Sequence, residues 1–386
     1  MNKEKNIKLF SILPPRLGGL DLIMPLYLKL KELNPKIKIE IAFMDDKAYQ
    51  DLFRNDFLYS EVQNCTDKIY RLKPKIGGKI LNRFFSLLNS LPLFFQILTA
   101  HNPILIHAIL EETLFIRLLS KVVRIRGGKI FTHMASLHIT IGVSAPDRVF
   151  GKAPDMDAFL YFGEADTIYL KKNRFPKFVQ LGYPRLFSSW KEHILSKSPE
   201  LVKREIEKNN LSPNSELVTI FLPSTVKNIF NISELKDWII SVLNILRNDF
   251  PEAIIILKPH PLQKMAIVEQ VLKDLDYKNF ILSYMQAGIL AASSKFVISH
   301  HSSTIVDSMG LSIPSIHYQE FTPHWLRRHP DGSFCLKLSP LWARNEDELK
   351  KCIATALSKN YHVPKIEKAL GHNENVSMFF DLNSET

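Results

Sequence analysis

Apolar runs of strand length alternate with longer amphipathic segments almost from end to end of this sequence, and that alternation constrains the fold more than any single motif. It is the pattern of repeated βα units around parallel sheets. In the first half it predicts strands over 7–13, 38–43, 104–109, 129–132 and 158–161, with a helix over 22–33 that opens after Gly18-Gly19-Leu20-Asp21 and stops before Asn34-Pro35. In the second half it predicts strands over 217–222, 253–257, 280–282, 296–299 and 315–318, separated by helices over 232–249, 264–275, 285–293 and 304–309. A polar, charged helix over 199–209 and the breaker Leu211-Ser212-Pro213-Asn214 part the halves. The expectation is an α/β protein of two domains, residues 1–190 and 191–386, with Gly182-Tyr183-Pro184 as the exit from the first.

Length supports the division, since 386 residues exceed one ordinary core, and 46% hydrophobic with 23% charged residues is a globular composition. The formal charge of +11 draws polyanions: nucleic acid, an anionic membrane face, or nucleotide phosphates. No basic module interleaved with aromatics is present, so nucleic acid is not expected as a partner. Cys65, Cys335 and Cys352 are widely spaced without metal-ligand spacing, which predicts a reduced, cytoplasmic compartment. The polar stretch from Met1 to Lys8 runs directly into a strand, so neither a signal peptide nor an anchor is expected there, and no apolar stretch reaches the roughly 20 residues of a spanning helix.

The sharpest chemical signal is the strand Ile254-Ile255-Ile256-Leu257 running straight into Lys258-Pro259-His260-Pro261. Ligands of open α/β sheets bind beyond the carboxyl ends of the strands, and a Lys and a His held there between prolines suit an anion. A basic surface turn is the plain alternative. The second signal is Phe296-Val297-Ile298-Ser299 followed by His300-His301-Ser302-Ser303-Thr304 and a short helix. Hydroxyls and backbone N–H groups at a helix start form a phosphate cradle, although Ser302 or Ser303 also suits a simple N-cap. Asp307, one turn into the helix, either reaches a ribose or supports the cradle.

This order of strand, Lys-Pro-His-Pro, helix, strand and Ser-His-His-Ser-Ser-Thr-Ile-Val-Asp-Ser-Met-Gly resembles the carboxyl-terminal domain of bacterial capsule-type transferases of the glycosyltransferase-B superfamily. That group includes CDP-glycerol glycerophosphotransferases, capsular Kdo transferases and polysialyltransferases. The resemblance implies two Rossmann-like domains whose parallel sheets face an interdomain cleft, with the donor nucleotide held by His260, Pro261, Ser302, Ser303 and Thr304. The segment from Phe178 to Arg185 is similar to the Gly-x-Pro exit of these families, and Thr219-Ile220-Phe221-Leu222-Pro223-Ser224-Thr225 to the strand and nucleotide-facing loop that open their second domain.

In the first half, Pro14-Pro15-Arg16-Leu17-Gly18-Gly19-Leu20-Asp21 resembles the loop where lipopolysaccharide Kdo transferases keep a glycine beside the carboxylate that deprotonates the acceptor. By that resemblance Asp21 is the general base; by residue type it is equally an N-cap. His133 is the other base implied, from the glycerophosphotransferases, and Glu111, Glu112 and His138 also follow strands. Lys73 to Phe95 combines four cations with clustered Phe and Leu, the composition of an interfacial membrane segment or of a buried helix between basic turns, and Pro92 is expected to interrupt any long helix there. Asp45-Asp46 lacks a third ligand, so no metal is expected.

The resemblance implies transfer of an acidic sugar of the Kdo or sialic-acid type, or of a polyol phosphate, from a CMP- or CDP-linked donor to a surface glycan or lipid-linked acceptor. It calls for no cofactor and allows contact with an anionic membrane. Lys258, His260 and the hydroxyl-rich turn then meet charge on the leaving nucleotide. The rivals are a UDP-sugar transferase or UDP-GlcNAc 2-epimerase-like enzyme on the same fold, and a non-catalytic scaffold of glycan assembly.

Overall fold

The computed structural model describes residues 7–14, 17–72, 79–109, 112–133, 153–163, 177–223, 231–260, 263, 265–273, 280–300, 302–320, 338–366, 370, 374, 376 and 379. They form two compact units. The first holds the described residues up to Trp190 and those of Ala369–Thr386; the second holds the described residues of Lys191–Lys368.

The first unit runs β1 (Lys8–Leu13), α1 (Leu17–Leu33), β2 (Lys38–Phe43), α2 (Asp46–Leu52), α3 (Asp56–Cys65), β3 (Lys68–Arg71), α4 (Lys79–Thr99), β4 (Ile104–His107), α5 (Leu114–Ile125), β5 (Lys129–His133), β6 (Ala158–Tyr161) and β7 (Phe178–Gln180). All its strands pair in parallel, in the order β3-β2-β1-β4-β5-β6-β7. After a single 3-10 turn at Pro184–Leu186, α6 (Ser188–Lys208) carries the chain into the second unit. There follow β8 (Leu217–Phe221), α7 (Ile232–Asp249), β9 (Ile254–Lys258), α8 (Met265–Lys273), β10 (Phe280–Leu282), α9 (Ala287–Ala292), β11 (Phe296–Ser299), α10 (Thr304–Gly310), β12 (Ser315–Tyr318), β13 (Trp342–Ala343) and α11 (Glu346–Ala356). This sheet is also parallel, in the order β10-β9-β8-β11-β12-β13.

A parallel strand covered by helices on both faces is buried on both, which is why Ile254, Ile255, Ile256 and Leu257 form an unbroken apolar run. Helix α7 starts at a reciprocal capping box between Asn231 and Glu234 and lays Trp238, Val242 and Leu246 onto the strands, all wholly buried. The strands that sequence periodicity does not announce are β3, β7 and β13, each at a sheet edge. Edge strands are short and partly solvated, so their apolar pattern is weak.

Two helices differ from expectation at proline. Pro92 lies inside α4 and Pro199 inside α6, which begins at Ser188, while Pro25 lies inside α1 as it does inside the expected helix over 22–33. Each proline removes one N–H from the ladder, and packing of the rest of the helix offsets that loss; Leu93 and Ile97 beyond Pro92 are fully buried. Helix α1 also begins earlier than expected, at Leu17, and takes in the glycine pair. A Cβ on Gly19 would lie 2.4 Å from Pro14 Cγ, so glycine lets the helix close against the exit of β1.

The segment Ala369–Thr386, which nothing in the sequence separates from the second domain, belongs with the first unit. Its Leu370, Val376 and Phe379 are buried, the Phe379 ring sits 5.0 Å from that of Phe131, and Glu374 accepts from the Ser188 amide and pairs with Lys29 at 3.3 Å.

Candidate functional site

Ligands of open parallel sheets bind where the strand order reverses, beyond the carboxyl strand ends. The second sheet reverses between β8 and β11. At that edge β9 delivers Lys258, followed by Pro259 and His260, and β11 delivers Ser302, Ser303 and Thr304. The structure therefore places the two sequence motifs at the ends of β9 and β11, the strands on either side of β8. Lys258 Nζ donates to the backbone carbonyl of Tyr284 at 3.5 Å, and Gln263 closes the His260 turn by donating its amide to the His260 carbonyl at 2.8 Å.

Behind the β11 loop, Ser299 is wholly buried and its hydroxyl has no hydrogen-bond partner among the described residues. His300 is buried with its ring edge-on to Trp238, centroids 6.3 Å apart, so it serves the core. Ser302 Oγ accepts from the Thr304 amide at 3.3 Å and from the Thr304 hydroxyl at 2.8 Å. Ser303 stands at the N-cap position yet makes no side-chain capping bond. The amides of Ile305 and Val306 donate to the carbonyls of Ser302 and Ser303, so the first turn is largely satisfied within itself. Hydroxyls, more than backbone N–H groups, are what this seven-residue helix offers an anion. Asp307 is buried. Ser224, Thr225 and Pro261 lie outside the described residues.

Two further groups at this edge carry no sequence motif. Tyr284, directly after β10 and tied to Lys258, keeps its side chain in part exposed. Glu320, after β12, accepts from the Tyr318 hydroxyl and from Ser241 Oγ of α7 at 3.4 Å, and burial with Glu346 nearby raises its pKa above the usual carboxylate value. Only the order of the strands places these positions at this edge of the sheet.

The first sheet reverses between β1 and β4. Asp21 lies within α1, which excludes the N-cap role, and its carboxylate accepts from Arg185 Nη2 at 2.7 Å with the two side chains 14% and 10% exposed. This pair ties the Gly182-Tyr183-Pro184-Arg185 segment to α1, and Gly182 there has φ +80°, a conformation that favours glycine. His133 ends β5 and is buried. Beside it is His107, unmarked by the sequence, whose Nδ1 accepts from the Ile109 amide at 3.3 Å and whose Nε2 lies 3.3 Å from Thr132 Oγ1. Burial, with His133 adjacent, holds the His107 pKa down at about 3, so it is a neutral imidazole. Glu112 is described, ahead of the residue that caps α5; Glu111 and His138 fall outside the described residues.

Asp45 caps α2 by accepting from the Lys47 amide, and Asp46 pairs with Arg71, which also stacks over Tyr49. Both carboxylates thus have local structural partners. Among the described residues no group of three or more His, Cys, Asp or Glu side chains is placed to hold a metal ion. None of the described helices is long and apolar enough to cross a membrane.

No protein-family pattern and no curated protein matches this sequence. Solved structures do match. The UDP-GlcNAc 2-epimerase of Methanocaldococcus jannaschii, in complex with UDP-GlcNAc and UDP, superposes with TM-score 0.59 at 15% identity over 95% of this chain and 97% of its own. The Neisseria meningitidis UDP-GlcNAc 2-epimerase bound to UDP-GlcNAc gives 0.55 at 13% identity over 95% of each chain. The wall teichoic acid polymerase TagF, in a structure with CDPG, gives 0.50 at 10% identity over 98% of this chain and 84% of its own. At such identities the likeness is one of fold, and the fold is glycosyltransferase-B: two Rossmann-like domains, each on a parallel sheet.

Proposed function

We propose that this protein is a glycosyltransferase that moves an acidic sugar or a polyol phosphate from a cytidine nucleotide to a surface glycan or lipid-linked acceptor, in the assembly of a capsule or related envelope polymer. The observation that carries the reading is the placement of Lys258 and His260 after β9, and of Ser302, Ser303 and Thr304 after β11, the two strands that flank β8 at the switch point of the second sheet. A cation, an imidazole and hydroxyls fixed at strand ends favour charge developing on a leaving phosphate, because they need no reorganisation as the bond breaks. Ser224, Thr225 and Pro261 complete the donor pocket in this reading, Asp307 supports the loop, and the acceptor proton passes to Asp21 or His133. The nucleotide-linked donor is itself the substrate, so no resident cofactor or metal is called for. TagF, seen with CDPG, supports a cytidine donor on this fold. A lipid-linked acceptor places the enzyme in peripheral contact with the cytoplasmic membrane face.

A second reading has its own support, since the two epimerases hold UDP or UDP-GlcNAc on the same fold. Thermal stabilisation by CMP, CDP, UDP and GDP, with and without His260→Ala, separates the two. Preferential stabilisation by CMP or CDP that the substitution removes supports the proposal. Preference for UDP replaces it with the UDP-sugar enzyme, and indifference to every nucleotide refutes both.

A further inference from the structure

We infer that the outer face of α4 and α5 is a docking surface for an anionic lipid bilayer. On α5, residues at i, i+3, i+4, i+7 and i+11 share one face, and those are Leu114, Arg117, Leu118, Lys121 and Ile125. Leu114 is 64% exposed and Ile125 75%, while Ile116, Leu119 and Val123 on the opposite face are buried. Arg117 and Lys121 are exposed and have no ion pair among the described residues.

Helix α4 carries the neighbouring stripe: Leu88, Leu91, Phe95 and Leu98 follow the i, i+3, i+7, i+10 spacing and are all exposed, Phe95 by 62%. Phe94 and Phe115 meet edge to face at 6.0 Å and join the two helices, so the stripes adjoin. Half of the large apolar side chains exposed among the described residues, seven of fourteen, lie on these two helices. Single exposed apolar residues need no explanation, but a contiguous patch does.

Charge decides what covers it. The 21 residues of α4 and the 12 of α5 contain no Asp or Glu, in a chain with 39 acidic residues in 386. A second copy related by a two-fold axis would set these basic faces against each other with no carboxylate on either helix to pair them. An anionic bilayer offers what this face lacks, an apolar boundary for leucine and phenylalanine and negative headgroups for Arg117 and Lys121. Neither helix qualifies as a membrane span, so the face lies along the headgroup boundary. The inference rests on the proposed membrane-borne acceptor and names the surface that meets it. Sequence composition singles out Lys73 to Phe95; among the described residues the patch begins at Leu88 and is completed by α5, which no sequence motif marks.

Flotation of the full chain with vesicles of phosphatidylcholine alone, or with added phosphatidylglycerol, tests it. The chain should float with the anionic vesicles and release as salt rises. Each neutralised cation should weaken partitioning about fivefold, so Arg117→Gln with Lys121→Gln should weaken it about 25-fold. Leu118→Ser with Ile125→Ser should also weaken it, and both variants should keep the melting temperature of the unaltered chain because only exposed side chains change. Failure to float, equal binding to uncharged vesicles, or unchanged binding by both variants overturns the inference. So does a dimer in light scattering that the charge variant dissociates. A chain that floats but responds to no nucleotide loses the donor reading and keeps the surface. One that responds to nucleotide without floating loses the surface alone.

Discussion

Replacing Asp21 by alanine takes from Arg185 the carboxylate that its guanidinium meets at 2.7 Å, in a place where the two side chains are only 14% and 10% exposed. Removing one partner of a buried pair costs about 3–5 kcal/mol where the remaining charge loses all compensation, and Arg185 has a further interaction that lessens the loss. The residual exposure admits some water, so about 2–4 kcal/mol is the working figure here. For a domain of this size 1 kcal/mol moves the melting point by about 2–4 °C, so the transition of the first unit should fall by about 5–15 °C in calorimetry. Asp21→Leu combined with Arg185→Met removes both charges and should recover most of the loss, since an apolar pair of similar volume serves a buried site about as well. Asp21→Asn keeps the shape and an acceptor, and should cost about 1–2 kcal/mol. A fall below about 2 °C for Asp21→Ala, or a double substitution that merely sums the two single losses, would refute the claim that this pair holds the segment after β7 to α1. The asparagine variant also tests chemistry: if Asp21 is the general base, transfer falls by about 10²–10⁴ with the fold nearly intact, and otherwise the base role moves to His133.

Two further outcomes follow from the same unit. Gly19→Ala should destabilise by about 1–3 kcal/mol, because its Cβ would sit 2.4 Å from Pro14 Cγ, whereas Gly18→Ala meets nothing within 4 Å and should be neutral or gain up to about 1 kcal/mol; equal behaviour in urea titrations would show that the close approach is not real. His107 has its pKa depressed to about 3 by burial and by His133, against about 6.5 unfolded, so its stabilising contribution is present above pH 6.5 and is lost as pH falls toward 3. By pH 5 that loss is about 2 kcal/mol, and His107→Gln should flatten the acid limb between those values; parallel limbs for the two proteins would remove His107 from the account.

What the sequence makes legible follows from what periodicity encodes. Strands buried on both faces, such as Ile254–Lys258 and Phe296–Ser299, are apolar runs bounded by turn residues, and their place and type can be read directly. Helix ends depend on local chemistry and are legible where a cap is spelled out, as at Asn231 and Glu234. They are not legible at α1, where Gly18 and Gly19 read as a loop but pack as helix because Pro14 fills the missing Cβ space. The candidate site is legible where motif and strand end coincide, at Lys258, His260 and Ser302 to Thr304. It is illegible at Tyr284, Glu320 and His107, whose neighbours are set by strand order and not by distance along the chain.

The return of Leu370 to Phe379 to the first unit bears on how the protein is made. A chain emerging from the ribosome ordinarily folds its leading domain first. Here the first unit lacks Phe379 against Phe131 and Glu374 beside Lys29 until Lys191–Lys368 of the second unit has been synthesised. The first unit to be started is thus completed only after the second has been made.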